Sequence, residues 1–186
     1  RKLLTVSCPN LPQIMEVGEK EGKTALLEEY VQGDTLGEIL QGGLLTAAQA
    51  KQITRQLCMA LWVLHSLGVV HRDVKPDNVI IRGTEAVLID FDASRIYKNE
   101  NREDTQILGT TGFAAPEQYG GHGRTDARTD IYCLGATLYH LVTGKHPSSE
   151  PYMKPVRKIN PKLSEGLEKI IQKCTRQNPE ERYQSC

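Results

Sequence analysis

The sequence has no excess of charge: 23 Lys and Arg stand against 23 Asp and Glu, giving a formal net charge of zero with histidines neutral. That excludes a nucleic-acid binder held by bulk charge. Long apolar runs are also lacking. The longest, Leu57 to Leu64, falls far short of the about 18 residues a membrane span needs. Cysteine is sparse and unpatterned, with Cys8, Cys58, Cys133, Cys174 and Cys186 scattered and no C-x-x-C pair. This is the pattern of reduced thiols in a cytoplasmic protein, with zinc ligation or a disulfide framework as the alternatives. The opening Arg1-Lys2-Leu3-Leu4-Thr5-Val6 lacks the apolar stretch and cleavage site of an export signal. The chain starts without Met and stops at Cys186 in a polar, helix-like stretch, so a fragment is expected. What is present is a globular composition over 186 residues, 39% hydrophobic and 25% charged, enough for one domain or a large piece of one.

Hydrophobic patterning divides the chain. Leu11 to Val17 and Thr24 to Val31 read as strands of a hairpin turning through Gly18-Glu19-Lys20-Glu21-Gly22-Lys23. Thr35-Leu36-Gly37-Glu38 and Thr46-Ala47-Ala48-Gln49 have capping-box spacing. The first predicts a short helix failing by Gly42-Gly43. The second predicts a helix of about five turns whose buried face carries Ile53, Leu57, Ala60, Leu61, Leu64 and Leu67, with Gly68 as its left-handed end. Val79 to Ile81 and Ala86 to Ile89 form a second predicted hairpin around Arg82-Gly83-Thr84-Glu85. Asp92 to Gly123 reads as a long loop. Helices resume at Asp130, the expected N-cap, and again after Ser164, with Leu167, Ile170, Ile171 and Cys174 on one face.

Between the long helix and the second hairpin lies His71-Arg72-Asp73-Val74-Lys75-Pro76-Asp77-Asn78, followed by Asp90-Phe91. This spacing resembles the catalytic and magnesium loops of the eukaryotic-like, or Hanks-type, serine/threonine protein kinases. The residue chemistry agrees with the resemblance. Phosphoryl transfer needs a carboxylate at the attacking hydroxyl, divalent ions on the phosphates and a cation near the transferring group. Asp73, then Asp90 with Asn78, then Lys75 can supply these in turn, and oxygen donors such as Asp90 and Asn78 suit Mg²⁺.

The resemblance extends downstream. Gly109-Thr110-Thr111-Gly112-Phe113-Ala114-Ala115-Pro116-Glu117 is similar to the stretch that closes a kinase activation segment. It implies that Glu117 pairs with Arg182, that Thr110 touches the catalytic aspartate and lysine, and that Asp130 braces the catalytic-loop backbone. Thr110 and Lys75 favour serine/threonine over tyrosine specificity. Arg72 matches the arginine that often answers a phosphorylated activation loop, and Thr105 is the candidate phosphosite. Leu26 to Val31 resembles the strand entering the hinge. Glu29 and Val31 would then face adenine through their backbones, with Thr35 near the ribose and Ile80 beneath the ring. Glu28 falls where many kinases place an apolar or small residue.

Two departures stand out. Asp90-Phe91-Asp92 replaces the usual Asp-Phe-Gly, and no glycine-rich loop, strand lysine or partner glutamate is present; Lys23 is a poor substitute. The implied fold class is therefore α+β and kinase-like: a mainly α-helical C-terminal lobe with two small β-hairpins and a truncated small lobe. Residues 1–31 would be the small-lobe remnant and 32–186 the large lobe. The implied function is transfer of the ATP γ-phosphate, with Mg²⁺, to Ser or Thr of a protein substrate once the small-lobe segment is supplied. The alternatives are a pseudokinase or scaffold, and a small-molecule phosphotransferase. Neither nucleic acid nor membrane is an expected partner, and the surface left by the absent segment is expected to promote self-association.

Overall fold

The computed structural model describes residues 2–20, 23–96, 109–119, 124–149 and 153–186. After a short 3-10 turn at Lys2–Thr5, strands β1 (Ile14–Lys20) and β2 (Lys23–Glu28) pair antiparallel. The turn expected to begin at Gly18 comes later. Gly18, Glu19 and Lys20 still find ladder partners in Ala25, Thr24 and Lys23, and those extra bonds outweigh their local turn preference.

Strand β3 (Asp34–Thr35) leads into helix α1 (Leu36–Gln41), and Thr46 caps helix α2 (Ala47–Ser66). Both capping boxes are formed: Thr35 and Thr46 accept from the amides of Glu38 and Gln49, whose side chains accept in return from the threonine amides. Gly68 follows the end of α2 with φ of +75°. Strand β4 (Val69–Val70) precedes the hairpin β5 (Val79–Arg82) and β6 (Glu85–Leu88), and β7 (Arg95–Ile96) returns to pair with β4. Pairing of β3 with β5 places Thr35 opposite Ile80. Strands β3, β4 and β7 have two residues each, too short to leave a periodic signal in the sequence.

Helix α3 (Ala127–Thr143) is the axis of the larger part. Almost every side chain in it is buried, the mark of a helix enclosed on all sides. One flank meets α2 through the core of Leu57, Leu61, Leu64, Leu134, Leu138 and Leu141. After the short helix α4 (Val156–Ile159), helix α5 (Glu165–Cys174) covers the other flank. The approach of α5 requires Gly135: a Cβ there would collide with the Cys174 Cβ. Truncating a fully buried leucine such as Leu61 to Ala is worth about 2–5 kcal/mol.

Two sequence expectations are corrected here. The N-cap of α3 is Asp126, which accepts from Arg128 N, so Asp130 lies inside the first turn and its carboxylate is released for other work. Ile170 is exposed, whereas Ile171 and Cys174 are buried, because α5 presents only part of its apolar face to α3. Among the described residues no helix is long and apolar enough to cross a membrane.

Candidate active site

The chain from His71 to Asn78 crosses between β4 and β5 and ends in a 3-10 turn at Pro76–Asn78. Two threads from α3 hold it. The Asp130 carboxylate, fully buried, accepts from His71 N at 2.9 Å and Arg72 N at 2.7 Å, and its Oδ2 also meets His65 Nε2 at 2.8 Å. Thr137 Oγ1 donates to Val74 O at 3.0 Å. This anchoring coincides with unusual backbone: Arg72 and Asp90 are the described non-glycine residues with positive φ, both at 68°. Side-chain-bearing residues hold that conformation only where their surroundings over-determine it, and functional sites are where such strain gathers.

Within this frame Asp73, Lys75, Asn78 and Thr110 form one hydrogen-bonded group. Thr110 Oγ1 donates to Asp73 Oδ1 at 2.7 Å, and Lys75 Nζ reaches Asp73 Oδ2 at 2.9 Å and Thr110 Oγ1 at 2.7 Å. Asn78 Nδ2 donates to both Asp73 O and Asp73 Oδ2 at 2.9 Å. Burial opposes ionisation of Asp73, but the donors Thr110, Lys75 and Asn78 and the lysine charge outweigh it and hold the carboxyl below its ordinary value. Oδ2 is engaged by two donors and Oδ1 by one, so Oδ1 keeps a lone pair for a hydroxyl.

His71 is fully buried, and burial pushes its imidazole below the ordinary value, keeping it neutral. Its hydrogen bonds assign the tautomer: Nε2–H donates to Ile89 O at 3.1 Å and Nδ1 accepts from Asp73 N at 3.4 Å. The ring packs on Phe91 at 5.5 Å. Ile89 N in turn donates to Asn78 O at 2.9 Å, tying the end of β6 to the end of the His71–Asn78 stretch. Asp90 Oδ1 accepts from Asp92 N at 3.1 Å. Asp92 itself has no positive φ, so this backbone does not call on the freedom of the glycine it replaces.

Among the described residues no three His, Cys, Asp or Glu side chains gather as a cation cage. The donor set instead fits Mg²⁺, which binds through one or two protein oxygens and keeps waters and substrate phosphates. Both Nδ2 hydrogens of Asn78 are spent on Asp73, which fixes the amide and leaves Oδ1 as its acceptor.

Towards β2, Glu29 N is taken by Gln13 O at 2.8 Å, so the carbonyl is the backbone group that Glu29 can offer. Its carboxylate meets Arg82 Nη1 at 2.7 Å. Val31 is buried, while the Thr35 hydroxyl is engaged with Glu38 in the α1 cap. Partial burial, and then the charges of Asp90 and Asp92, raise the Glu28 carboxyl above its ordinary value.

Beyond this hydrogen-bonded group, Arg182 is sealed from solvent and every guanidinium N–H is used. Nη1 and Nη2 grip Glu117 at 2.7 and 2.8 Å, and carbonyls of Arg128, Arg176 and Gln177 take the rest. Thr105 lies outside the described residues. Two further residues, Gln118 and His65, carry no local sequence signal: the buried Gln118 carboxamide donates to Arg72 O at 2.8 Å and accepts from Ala115 N at 2.9 Å, and His65 meets Asp130. Only their position beside a recognisable motif could have marked them, because their partners are remote in sequence.

The family model described as the protein kinase domain matches residues 1–186. The chain is 33% identical to the serine/threonine-protein kinase PknB of Mycobacterium tuberculosis, covering 95% of this chain and 32% of that protein. It is 32% identical to the serine/threonine-protein kinase D of Synechocystis, over 94% of this chain and 36% of the relative. It is likewise 32% identical to the serine/threonine-protein kinase pkn2 of Myxococcus xanthus, over 81% and 19%. The chain thus spans about a third or less of the length of these relatives. With the match running over its whole length, the chain belongs to the protein kinase domain family, of the Hanks serine/threonine type.

Proposed function

We propose that this chain supplies the large lobe, residues 32–186, and the tail of the small lobe, residues 1–31, of a kinase that transfers the ATP γ-phosphate to Ser or Thr of a protein. The observation that carries the reading is the closed group in which Thr110 and Lys75 both engage Asp73. Asp73, held ionised, orients the substrate hydroxyl on the remaining lone pair of Oδ1 and draws its proton as the oxygen attacks. Lys75, beside the same carboxylate, stabilises charge on the transferring group. Asn78 Oδ1 and Asp90 would hold Mg²⁺, which when bound neutralises phosphate charge. The Glu29 carbonyl and the Val31 backbone read adenine, with Thr35 and Ile80, cross-strand partners, placed toward the ribose and under the ring. The charge of Arg72 and the hydroxyl of Thr105 form the regulatory pair of this reading. The Glu117–Arg182 pair is structural.

The β1–β2 hairpin exposes Met15, Leu26 and Leu27, and Tyr30 follows it exposed as well. In this reading the preceding small-lobe segment covers that surface, and a second copy of the chain is the substitute cover in its absence. Five free cysteines suit a reducing, cytoplasmic setting. The test is Mg²⁺-dependent transfer of labelled γ-phosphate to a generic protein, using this chain, the full-length natural protein and its Asp73→Asn variant. Transfer by the full-length protein that vanishes in Asp73→Asn is the expected result. ATP binding without transfer under any activating phosphorylation would instead indicate a pseudokinase.

A further inference from the structure

We propose that Gln118 is a positioning residue for the transfer, a carboxamide clamp through which the end of the activation segment holds the backbone of Arg72 and thereby aims Asp73. The inference rests on the kinase reading above. Arg72 immediately precedes Asp73 and sits at φ of 68°, a conformation that crowds any residue bearing a Cβ. Three bonds from described residues converge on it. Its N–H donates to Asp130 Oδ1 at 2.7 Å, its Nε donates to Ala93 O at 2.6 Å, and its carbonyl accepts from Gln118 Nε2 at 2.8 Å. The first arises from α3 in the rigid core, whereas the last arises from the segment that follows Pro116. Both faces of the strained residue are therefore pinned, and by different parts of the molecule.

The carboxamide has one workable orientation. Its Oε1 accepts from Ala115 N at 2.9 Å and from Cys133 Sγ at 3.5 Å, while Nε2 faces a carbonyl. Reversal would set oxygen against oxygen on one side and donors against a donor on the other. Burial raises the Cys133 thiol well above its ordinary value, so it remains a donor to Oε1. The site is nearly sealed, with Gln118 4% exposed. The start of the same segment rests on the clamp: Gly109 has φ of +125°, and a Cβ there would stand 2.7 Å from Gln118 Nε2. Next to it, Thr110 carries its hydroxyl to the Asp73 carboxylate. The segment thus grips the catalytic loop twice, at the Asp73 carboxylate through Thr110 and at the preceding peptide through Gln118. A displacement of the segment would disturb the aim of Asp73 even with its carboxylate chemically intact.

The experiment uses the full-length natural protein and its Gln118→Met variant, which keeps the volume and removes the hydrogen bonds of the carboxamide. Steady-state kinetics are normalised to ATP-binding stoichiometry, and backbone amide exchange is followed across residues 71–74 and 115–119. The expected result is a kcat about 10- to 100-fold lower per ATP site with KM for ATP within about twofold, the signature of misplacement rather than lost binding. Exchange at 71–74 should rise together with that at 115–119. A kcat per site within about twofold of wild type, or faster exchange confined to 115–119, overturns the clamp and leaves Gln118 a local packing residue. If Gln118→Met binds no ATP, Gln118→Asn, one methylene too short to span Ala115 and Arg72, is read by the same criteria. A wild-type protein that transfers no phosphate refutes the kinase reading instead, and exchange at 71–74 still decides the clamp.

Discussion

The His71–Asn78 loop and the β1–β2 hairpin are held by opposite strategies. The loop hangs from α3 by groups with almost no solvent contact: Asp130 and Thr137 are fully buried, and Arg72 and Asn78 nearly so. The hairpin end is held at Glu29 by Arg82, and both side chains are about a third exposed, at 34% and 35%. Water competes for the second kind of contact and not for the first. The His71–Asn78 geometry is therefore fixed from the core, while the hairpin end is left adjustable.

The largest break in this contrast is expected from Asp130→Ala. The amides of His71 and Arg72 lose their acceptor inside the core, which should lower stability by about 3–5 kcal/mol in denaturant titration and lower kcat about 100-fold or more. Unchanged unfolding would show that the loop holds its shape without α3.

An intermediate effect is expected from pH. His71 is depressed in the fold, so the unfolded chain takes up a proton first and stability should fall as pH drops below about 6.5. Asp73 is also depressed, so its contribution is present above about 3.9 and is lost as pH falls through its lower folded value. Unfolding midpoints across acid pH should show the first loss flattened in His71→Gln and the second reduced in Asp73→Asn. Parallel curves for all three proteins would contradict both assignments.

The smallest effect belongs to Arg82→Met. An exposed pair of this kind contributes about 0–1 kcal/mol, so the melting temperature should hardly move. Because Glu29 offers its carbonyl towards adenine in our reading, KM for ATP should rise a few-fold while kcat is kept. A stability loss comparable to that of Asp130→Ala would erase the distinction between the two regions.

Much of the site was legible because its signals are local. His71 to Asn78 is one short stretch, and the Thr35 and Thr46 boxes each span four residues, so their physics is written in adjacent positions. Asp130 braces the loop as the resemblance implied, but for the helix cap two local options were equal. Asp126 and Asp130 lie one turn apart on α3, and either could cap a helix in isolation. What selected Asp126 was the presence of His71 and Arg72, nearly 60 residues away, at the end of the Asp130 carboxylate. The exposure of Ile170 has the same origin, since periodicity marks an apolar face but not how much of it a neighbouring helix covers.

By itself the sequence determined the motif residues, the capped helices and the hairpins, because residue type and spacing within a turn or two suffice for them. Only the tertiary structure decided that Thr137 of α3 holds the Val74 carbonyl, that Arg72 is strained between Asp130 and Gln118, and that Arg182, beyond its expected partner Glu117, spends its remaining donors on carbonyls in one buried site. These are bonds between segments tens of residues apart. Their strength comes from the exclusion of water, which exists only once the helices have closed around them.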